Sequence, residues 1–325
     1  MSIIVKIILY IQYFKTHTMI KKGVITLLLM TIVYDEKIKD IMEELSEIKE
    51  TFSAKKINFG IVESMEANNH IVKIFCEDKD YNERTVQIFN IYFGEVVYGI
   101  IATEFLKQHM EYYLNENYFF LKDEETIDVK DILKDAIICK GKIMSEDMIF
   151  YLNRKNAIVK KIIECNEQNN ELNINGFITF RMKELLADFE SIVEKVVEKY
   201  MAEKEYNEFI KLLKYFVEIQ ESKMNEVNII IKELGEYVML DEYGKNILEF
   251  MLTDIYEADY HGSIGIEDVI ISGLITNSPK KIILHCVELC DNLEFIETIK
   301  NVFCERVIIC DGCKICSRVD DFIKI

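Results

Sequence analysis

Tryptophan is absent from this chain of 325 residues, proline occurs once, and glycine occurs only 12 times. The few glycines do not form a phosphate-binding loop, and neither a G-x-S-x-G nucleophile motif nor an H-E-x-x-H zinc motif is present. The local signatures of nucleotide-binding enzymes, serine hydrolases and zinc peptidases are therefore missing. Their absence lowers the expectation of an enzyme, although it does not exclude one.

Positive charge is also scarce. Lysine and arginine total 39 against 57 aspartates and glutamates, so the formal net charge is −18. A protein that binds nucleic acid without sequence preference needs a basic surface that displaces counterions, and an anionic membrane surface selects for the same property. The charge balance argues against both classes of partner, while a local basic patch stays compatible with it.

The N-terminus lacks a hydrophobic run of membrane-spanning length. The apolar stretch Ser2–Phe14 is shorter than the roughly 20 residues of a spanning helix, and Lys6 and Gln12 interrupt it. It also lacks the basic start and the small-residue cleavage site of a signal peptide. Because nine cysteines occur in a chain without a convincing secretory signal, we expect reduced thiols and a cytoplasmic location.

We interpret residues 1–26 as an upstream extension and expect the natural start near Leu27–Met30. The reason is that Lys21–Val24 can be encoded by a purine-rich stretch that resembles a bacterial ribosome-binding site. If the extension belongs to the protein, a membrane-tethered N-terminus over residues 1–33 is the alternative.

The first part of the chain has the periodicity of a small mixed unit. A β-branched run predicts a strand over Val24–Tyr34, and apolar residues at helical spacing predict an amphipathic helix over Asp35–Lys55. Two further strands are expected over Ile57–Ser64 and Ile71–Cys76. This order predicts a β-α-β-β unit.

The middle of the chain is rich in helical patterns. Apolar residues recur with helical period over Asn82–Asn115 and over Met144–Cys165. The most regular apolar stripes lie within residues 189–201 and 209–217, with glutamate and lysine on the opposite side. These two stripes predict an antiparallel helical pair or one long bent helix.

The last part of the chain alternates strands and helices. Strands are predicted at Val227–Ile231, Tyr237–Leu240, Lys281–His285 and Arg306–Cys310. Helices are predicted at Lys245–Tyr256, Ile266–Thr276 and Asn292–Phe303. The short links near the end indicate a βαβ-like unit.

The sequence thus predicts an α+β protein with a small N-terminal β-α-β-β unit, a helix-rich middle and a C-terminal α/β unit ending in a cysteine cluster. A chain of this length is expected to form about two domains. We place an N-terminal α+β and helical domain at 27–165, after the extension 1–26. The second domain, 166–325, combines the helical pair with the C-terminal α/β unit.

The C-terminal cysteines are the one local pattern whose spacing has a chemical reason. In the motif Cys310-x2-Cys313-x2-Cys316, the short gaps let neighbouring thiolates turn toward one metal ion or toward each other. Cys304 supplies a fourth thiolate if the last strand folds back. Four thiolates in tetrahedral geometry would form a closed structural zinc site.

Other interpretations of the cysteine cluster stay open. An iron–sulfur cluster, a redox or disulfide pair and unliganded thiols all fit the same spacing, because two separate C-x2-C pairs would be needed for a specific zinc signature. Three residues upstream are additional candidate ligands: His285, Cys286 and Cys290.

A group of cations lies on or near the most regular helical stripes. Lys204, Lys211 and Lys214 are spaced to share one helical face, and with Arg181 they are candidates for contact with an anion or an acidic partner. The competing interpretation is a solvated helix face, because several glutamates lie alongside these lysines.

Two segments resemble a known family. Residues Ile174–Arg181 read INGFITFR, and Glu203–Val217 read EKEYNEFIKLLKYFV. They resemble the YtxC-like family of sporulation proteins from spore-forming Firmicutes, and the stretch around Pro279 and the cysteines at 310–316 also look similar to that family. The resemblance implies a sporulation association but no reaction, so it assigns no catalytic residues.

Two hypotheses on function follow. The first is a cytoplasmic, non-catalytic protein that acts through contacts with a protein partner and is stabilised by a C-terminal zinc ion. The second is a metal-dependent enzyme acting on nucleotides or nucleic acid. A compact cleft bringing Arg181 and the lysines against Asp254 or Glu257 would favour the enzyme, while helical faces with apolar patches would favour the first hypothesis.

Overall fold

The computed structural model describes residues 18–21, 24–36, 38, 41–138, 147–167, 171–248 and 265–316. The chain forms two compact units, Met1–Tyr200 and Met201–Ile325. Helices and two mixed sheets make up the described residues, so the α+β class is confirmed. The domain limits at 27–165 and 166–325 stay a prediction.

The first unit begins with an antiparallel sheet. Its strands are β1 (Thr18–Lys21), β2 (Val24–Asp35), β3 (Phe59–Glu66) and β4 (Asn69–Glu77), in the spatial order β1-β2-β4-β3. The short strand β5 (Glu171–Asn173) pairs with β2 in parallel. The predicted β-α-β-β order is confirmed, while β1, which pairs with β2 and lies within residues 1–26, is an additional strand.

Helix α1 (Ile41–Ala54) connects β2 to β3 and follows its amphipathic pattern. Its buried residues recur at helical spacing: Ile41, Leu45, Ile48 and Phe52. The ring of Phe52 lies 4.5 Å from that of Phe59 in β3 and 6.5 Å from that of Phe89 in the next helix. The core of this unit is therefore built where α1 and the following helix meet the sheet.

Four helical segments follow β4. They are α2 (Glu83–Glu104), which continues through a π-helical turn (Phe105–His109) into α3 (Met110–Asn117), then α4 (Asp123–Ile138) and α5 (Asp147–Glu167). Asn82 caps α2, because its side chain accepts a hydrogen bond from the amide of Thr85 at 3.0 Å.

The continuous helical stretch Glu83–Asn117 is the one candidate membrane span that the described residues contain, by length and composition. Half of its most apolar window is buried within the protein. A core helix of a globular unit passes the same test, so this is a weak indication of a membrane span.

The long helix α6 (Ile174–Ile219) replaces the expected antiparallel pair, so that alternative is wrong. No proline or glycine occurs from Phe177 to Ile219, and residues 202–205 (Ala-Glu-Lys-Glu) are strong helix formers that have no reason to turn. At its start, the side chain of Asn173 accepts a hydrogen bond from the amide of Gly176 at 2.8 Å.

The second unit is built on a four-stranded sheet. Its strands are β6 (Glu226–Ile231), β7 (Tyr237–Asp241), β8 (Lys281–His285) and β9 (Val307–Ile309), in the order β7-β6-β8-β9. Strands β6, β8 and β9 are parallel, and β7 is antiparallel to β6. Helix α7 (Ile266–Asn277) precedes β8, and α8 (Leu293–Phe303) links β8 to β9, which confirms the βαβ-like unit.

The predicted helix at Lys245–Tyr256 is wrong in its first residues. The carboxylate of Asp241 accepts hydrogen bonds from the amides of Tyr243 and Lys245, and Asn246 bridges to Leu240. A side chain that binds nearby backbone amides competes with a helix start, which explains the turn. Residues 249–256 lie outside the described residues.

Candidate metal centre

Four potential ligands converge at one edge of the second sheet: His285, Cys310, Cys313 and Cys316. One nitrogen and three sulfur atoms from these residues all lie within 4.8 Å of one another. The Nδ1 atom of His285 lies 3.6 Å from the Sγ atom of Cys313 and 3.4 Å from that of Cys316. Cys316 Sγ is 3.8 Å from the sulfurs of both Cys310 and Cys313. A His/Cys group of this kind can hold a metal ion.

Parallel strand pairing brings these residues together. His285 is the last residue of β8, and Cys310 directly follows β9, the neighbouring parallel strand. The amide of Cys310 donates to the carbonyl of Leu284 at 2.9 Å, so the register continues to the cysteine. Gly312 then adopts a φ of 113°, a conformation that favours glycine, and the chain turns back toward His285.

A hydrogen-bond chain fixes the orientation of His285. Its Nε2 atom lies 3.0 Å from Oδ1 of Asn228, whose amide group donates to Glu226 at 3.1 Å. Glu226 in turn accepts from Lys281 at 2.8 Å. Because Asn228 offers its oxygen to the ring, Nε2 carries the proton and Nδ1 directs a lone pair toward the cysteines.

The protonation state of His285 also suits a metal ligand. The side chain is only 2% exposed. Desolvation by burial lowers the pKa of His285, while the nearby charge of Glu226 raises it by a smaller amount. A lowered pKa favours the neutral imidazole, which is the form that binds metal ions.

Backbone amides favour the thiolate form of Cys313. The main cause of the lowered pKa of Cys313 is a hydrogen bond from the backbone amide of Cys316, and the amide of Ile315 also lies 3.3 Å from the sulfur. Hydrogen bonds to the charged form stabilise a thiolate, which is the species that binds metal.

Cys286 differs from the three converging cysteines. Its side chain is 7% exposed, and burial, followed by a hydrogen bond with Cys316, raises the pKa of its thiol to about 11. A group with that pKa stays protonated at neutral pH and can donate to the Cys316 sulfur. Cys286 is therefore placed as a hydrogen-bonding neighbour of the group.

The two remaining candidate thiols lie elsewhere. Cys304 is exposed, and its thiol donates to the carbonyl of Asn301 at 3.4 Å, so it is not part of the converging group. Cys290 is buried in the core of the second unit, where its thiol donates to the carbonyl of Asn292 at 3.2 Å. The fourth potential ligand beside Cys310, Cys313 and Cys316 is thus His285, where the sequence suggested Cys304.

The candidate cations are distributed along α6. In the first unit Arg181 forms two hydrogen bonds with the carboxylate of Glu184, at 2.9 and 2.8 Å. In the second unit Lys204 lies 4.0 Å from Glu208, while Lys211 is exposed and Lys214 is half-buried. Partners within one or two turns are what a solvated helix face provides.

The C-terminal part of α6 carries apolar residues on two faces. Ile210, Leu213 and Val217 are buried in the core of the second unit. A second set remains exposed, and we refer to it as the outer stripe: Phe209, Leu212, Tyr215, Phe216 and Ile219. An exposed stripe of this kind marks a candidate protein-contact surface.

The fold and these side chains together define an α+β protein whose C-terminal sheet presents a potential metal-binding His/Cys group. A family model described as the YtxC-like family matches residues 91–308, about two thirds of the chain, and the chain belongs to this family. The matched range contains all of α6 and His285 but ends before Cys310.

A curated relative agrees with the family assignment. The chain is 26% identical over 211 residues to "Uncharacterized protein YtxC" of Bacillus subtilis strain 168, which covers 62% of this chain and 69% of the relative. No solved structure matches the chain.

Proposed function

We propose that this chain is a non-catalytic cytoplasmic protein of sporulating bacteria that acts through protein contacts and carries a structural zinc ion. The observation that carries the proposal is the closed set of four side-chain donors at His285, Cys310, Cys313 and Cys316. Catalytic zinc sites keep one position for water or substrate, whereas structural sites fill all four positions with protein ligands. A complete set of protein donors therefore favours stabilisation over catalysis.

The donor spacing favours zinc over an iron–sulfur cluster. With zinc–sulfur bonds of about 2.3 Å and a zinc–nitrogen bond of about 2.0 Å, a tetrahedron has edges of about 3.8 Å between sulfurs and about 3.6 Å from sulfur to nitrogen. Four of the six separations between the donor atoms, at 3.8, 3.8, 3.6 and 3.4 Å, are close to these edges, and all six lie within 4.8 Å. A [4Fe–4S] cluster binds each ligand through a different iron, and a [2Fe–2S] cluster divides its four ligands between two irons, so either cluster requires wider spacing between some of the ligand atoms.

The proposed role of zinc is to join the C-terminal loop to the sheet. His285 ends β8, whereas Cys313 and Cys316 belong to the loop after β9. That loop contains few apolar residues for a core of its own. One ion bound by both parts would hold the loop against the strand ends, as metals do in small domains with little core.

The sporulation association and the protein contacts rest on other observations. The family resemblance implies sporulation, and the outer stripe of α6 supplies a surface suited to a protein partner. For the alternative of a nucleotide-directed enzyme, Arg181 is already paired with Glu184, and Asp254 and Glu257 lie outside the described residues. The exposed outer stripe and the pairing of Arg181 therefore favour the protein-contact hypothesis.

The zinc proposal is tested by elemental analysis of full-length protein purified anaerobically. We expect close to one zinc per chain, with loss of the metal in Cys316→Ser and retention in the matched control Cys304→Ser. A zinc content below about 0.2 per chain in the wild type would end the proposal, since a structural site stays nearly full. Iron and inorganic sulfide in place of zinc would assign a cluster instead.

The biological part of the proposal needs a separate test. Deletion of the gene in its host should reduce the number of heat-resistant spores without slowing vegetative growth. A normal spore count would contradict the sporulation role and leave the zinc measurement unaffected.

A further inference from the structure

The outer stripe lies on a helix whose inner face is already packed. On the inner face Ile210, Leu213 and Val217 are between 2% and 9% exposed, and the hydroxyl of Tyr206 lies 3.1 Å from that of Thr298. A surface helix of a globular unit normally has one apolar face and one polar face. The C-terminal part of α6 instead has a second apolar face with no cover among the described residues.

The outer stripe is large enough to serve as the centre of an interface. Its five side chains are exposed by the following fractions: Phe216 41%, Leu212 51%, Phe209 53%, Tyr215 59% and Ile219 59%. Because about half of the surface of each side chain is exposed, the five together present an apolar area on the order of 400 Å². A stable protein–protein interface buries about 800 Å² per partner, so the stripe would form the apolar centre of an interface whose polar rim comes from the residues around it.

Charge indicates the chemistry of the partner. Glu205 and Glu208 are exposed, and their helical positions place them at the N-terminal end of the outer stripe. Lys204 lies 4.0 Å from Glu208 and offsets part of this charge, so the three side chains leave a net negative end. Lys211 and Lys214 fall outside the stripe by the same geometry. Because the whole chain also carries a net charge of −18, a second copy would be repelled and a basic partner attracted.

We propose that the outer stripe binds an amphipathic helical segment of another protein, with basic residues at the end that faces Glu205 and Glu208. The stripe from Phe209 to Ile219 spans about three helical turns, so it matches a partner helix of similar length. Apolar anchors at spacings of three and four residues on that helix would cover the stripe. This inference deepens the proposed function, on which it rests, by naming the surface and the class of partner.

Two synthetic helical peptides test this inference. One carries leucines at alternating spacings of three and four residues with a lysine-rich end, and the other is identical except for glutamates in place of the lysines. Fluorescence anisotropy of the labelled peptides against full-length protein measures binding. We expect the lysine peptide to bind and Leu212→Glu to weaken it by about tenfold or more, because a charge would replace a buried leucine.

A matched control variant tests whether peptide binding depends on the outer stripe or on any exposed apolar side chain. Leu293, at the start of α8, is 68% exposed and lies outside the stripe, so Leu293→Glu should leave binding unchanged. Replacing Glu205 and Glu208 by glutamine should remove the preference for the lysine peptide and reduce the salt dependence of its binding.

Several outcomes would overturn the inference. Equal binding of both peptides, no binding of either, or an equal effect of Leu293→Glu would remove the proposed partner chemistry. A dimer seen by sedimentation that Leu212→Glu dissociates would assign the stripe to a second copy. Displacement of the peptide by phosphatidylcholine vesicles would assign it to a lipid surface. None of these results changes the zinc content or the spore count, so the proposed function is judged separately.

Discussion

His285 and Asn228 are joined by a hydrogen bond of 3.0 Å between Nε2 and Oδ1 across two parallel strands. Both side chains are buried, at 2% and 6% exposure. The bond determines which ring nitrogen faces the cysteines, so Asn228 would influence a metal ion bound there without being a ligand. This arrangement is the usual one for metal-binding histidines, whose second nitrogen is held by a neighbouring acceptor.

The first prediction concerns Asn228, the hydrogen-bond partner of His285. We expect Asn228→Ala to lower zinc affinity by about 10- to 100-fold, because the imidazole loses the group that fixes its orientation. Asn225→Ala, at an exposed asparagine just before β6, should not change the affinity. Competition with a zinc chelator measures both variants, and an unchanged affinity in Asn228→Ala would show that the hydrogen bond does not support the site.

The second prediction decides the fourth ligand. We expect His285→Ala to lose most of the metal and Cys286→Ser to retain it, since His285 is one of the four converging donors and Cys286 is not. Cobalt substitution distinguishes the two ligand sets, because the intensity and energy of the visible bands differ between three-thiolate and four-thiolate sites. A spectrum that changes in Cys286→Ser but not in His285→Ala would assign four thiolates instead.

The third prediction concerns metal removal. A ligand that binds only the folded state stabilises it by about 4 kcal/mol when its concentration is a thousandfold above Kd. Chelation should therefore lower the Tm of the second unit by several degrees and expose the segment after β9 to proteases. In Cys313→Ser the chelator should have no further effect. An identical Tm with and without chelator in the wild-type protein would contradict a structural role.

The C-terminal unit was predictable from the sequence because its signals are local. The strand at Lys281–His285 is a short apolar run after Pro279. Asn292 caps the start of α8, because its side chain accepts a hydrogen bond from the amide of Phe295 at 3.2 Å. The cysteine motif was visible for the same reason. Each of these features depends on residues only a few positions apart.

Two features needed information that local patterns do not contain. His285 joins Cys310 only through the register of β8 and β9, whereas Cys304 is closer in sequence but stays outside the group. The pairing of parallel strands is set by tertiary packing, which local sequence patterns do not show. One signal was available: His285 and Cys310 both lie at the carboxyl ends of predicted strands, where ligand-binding residues of parallel sheets gather, and this favours His285 as a candidate ligand. The absence of glycine and proline from Phe177 to Ile219 was likewise a signal for one continuous helix.

The last prediction uses two glycines of α2 as a matched pair. A side chain at Gly94 would lie 3.1 Å from Val159 and 3.2 Å from Ile163 of α5, whereas nothing lies within 4 Å of the same position at Gly99. Gly94→Leu should therefore destabilise the protein by about 1–3 kcal/mol, because an added side chain overpacks the contact between the two helices. Gly99→Leu should be neutral or stabilising by up to about 1 kcal/mol, since helix propensity rises without a clash. Urea unfolding measures both, and equal effects of the two substitutions would contradict close packing at Gly94.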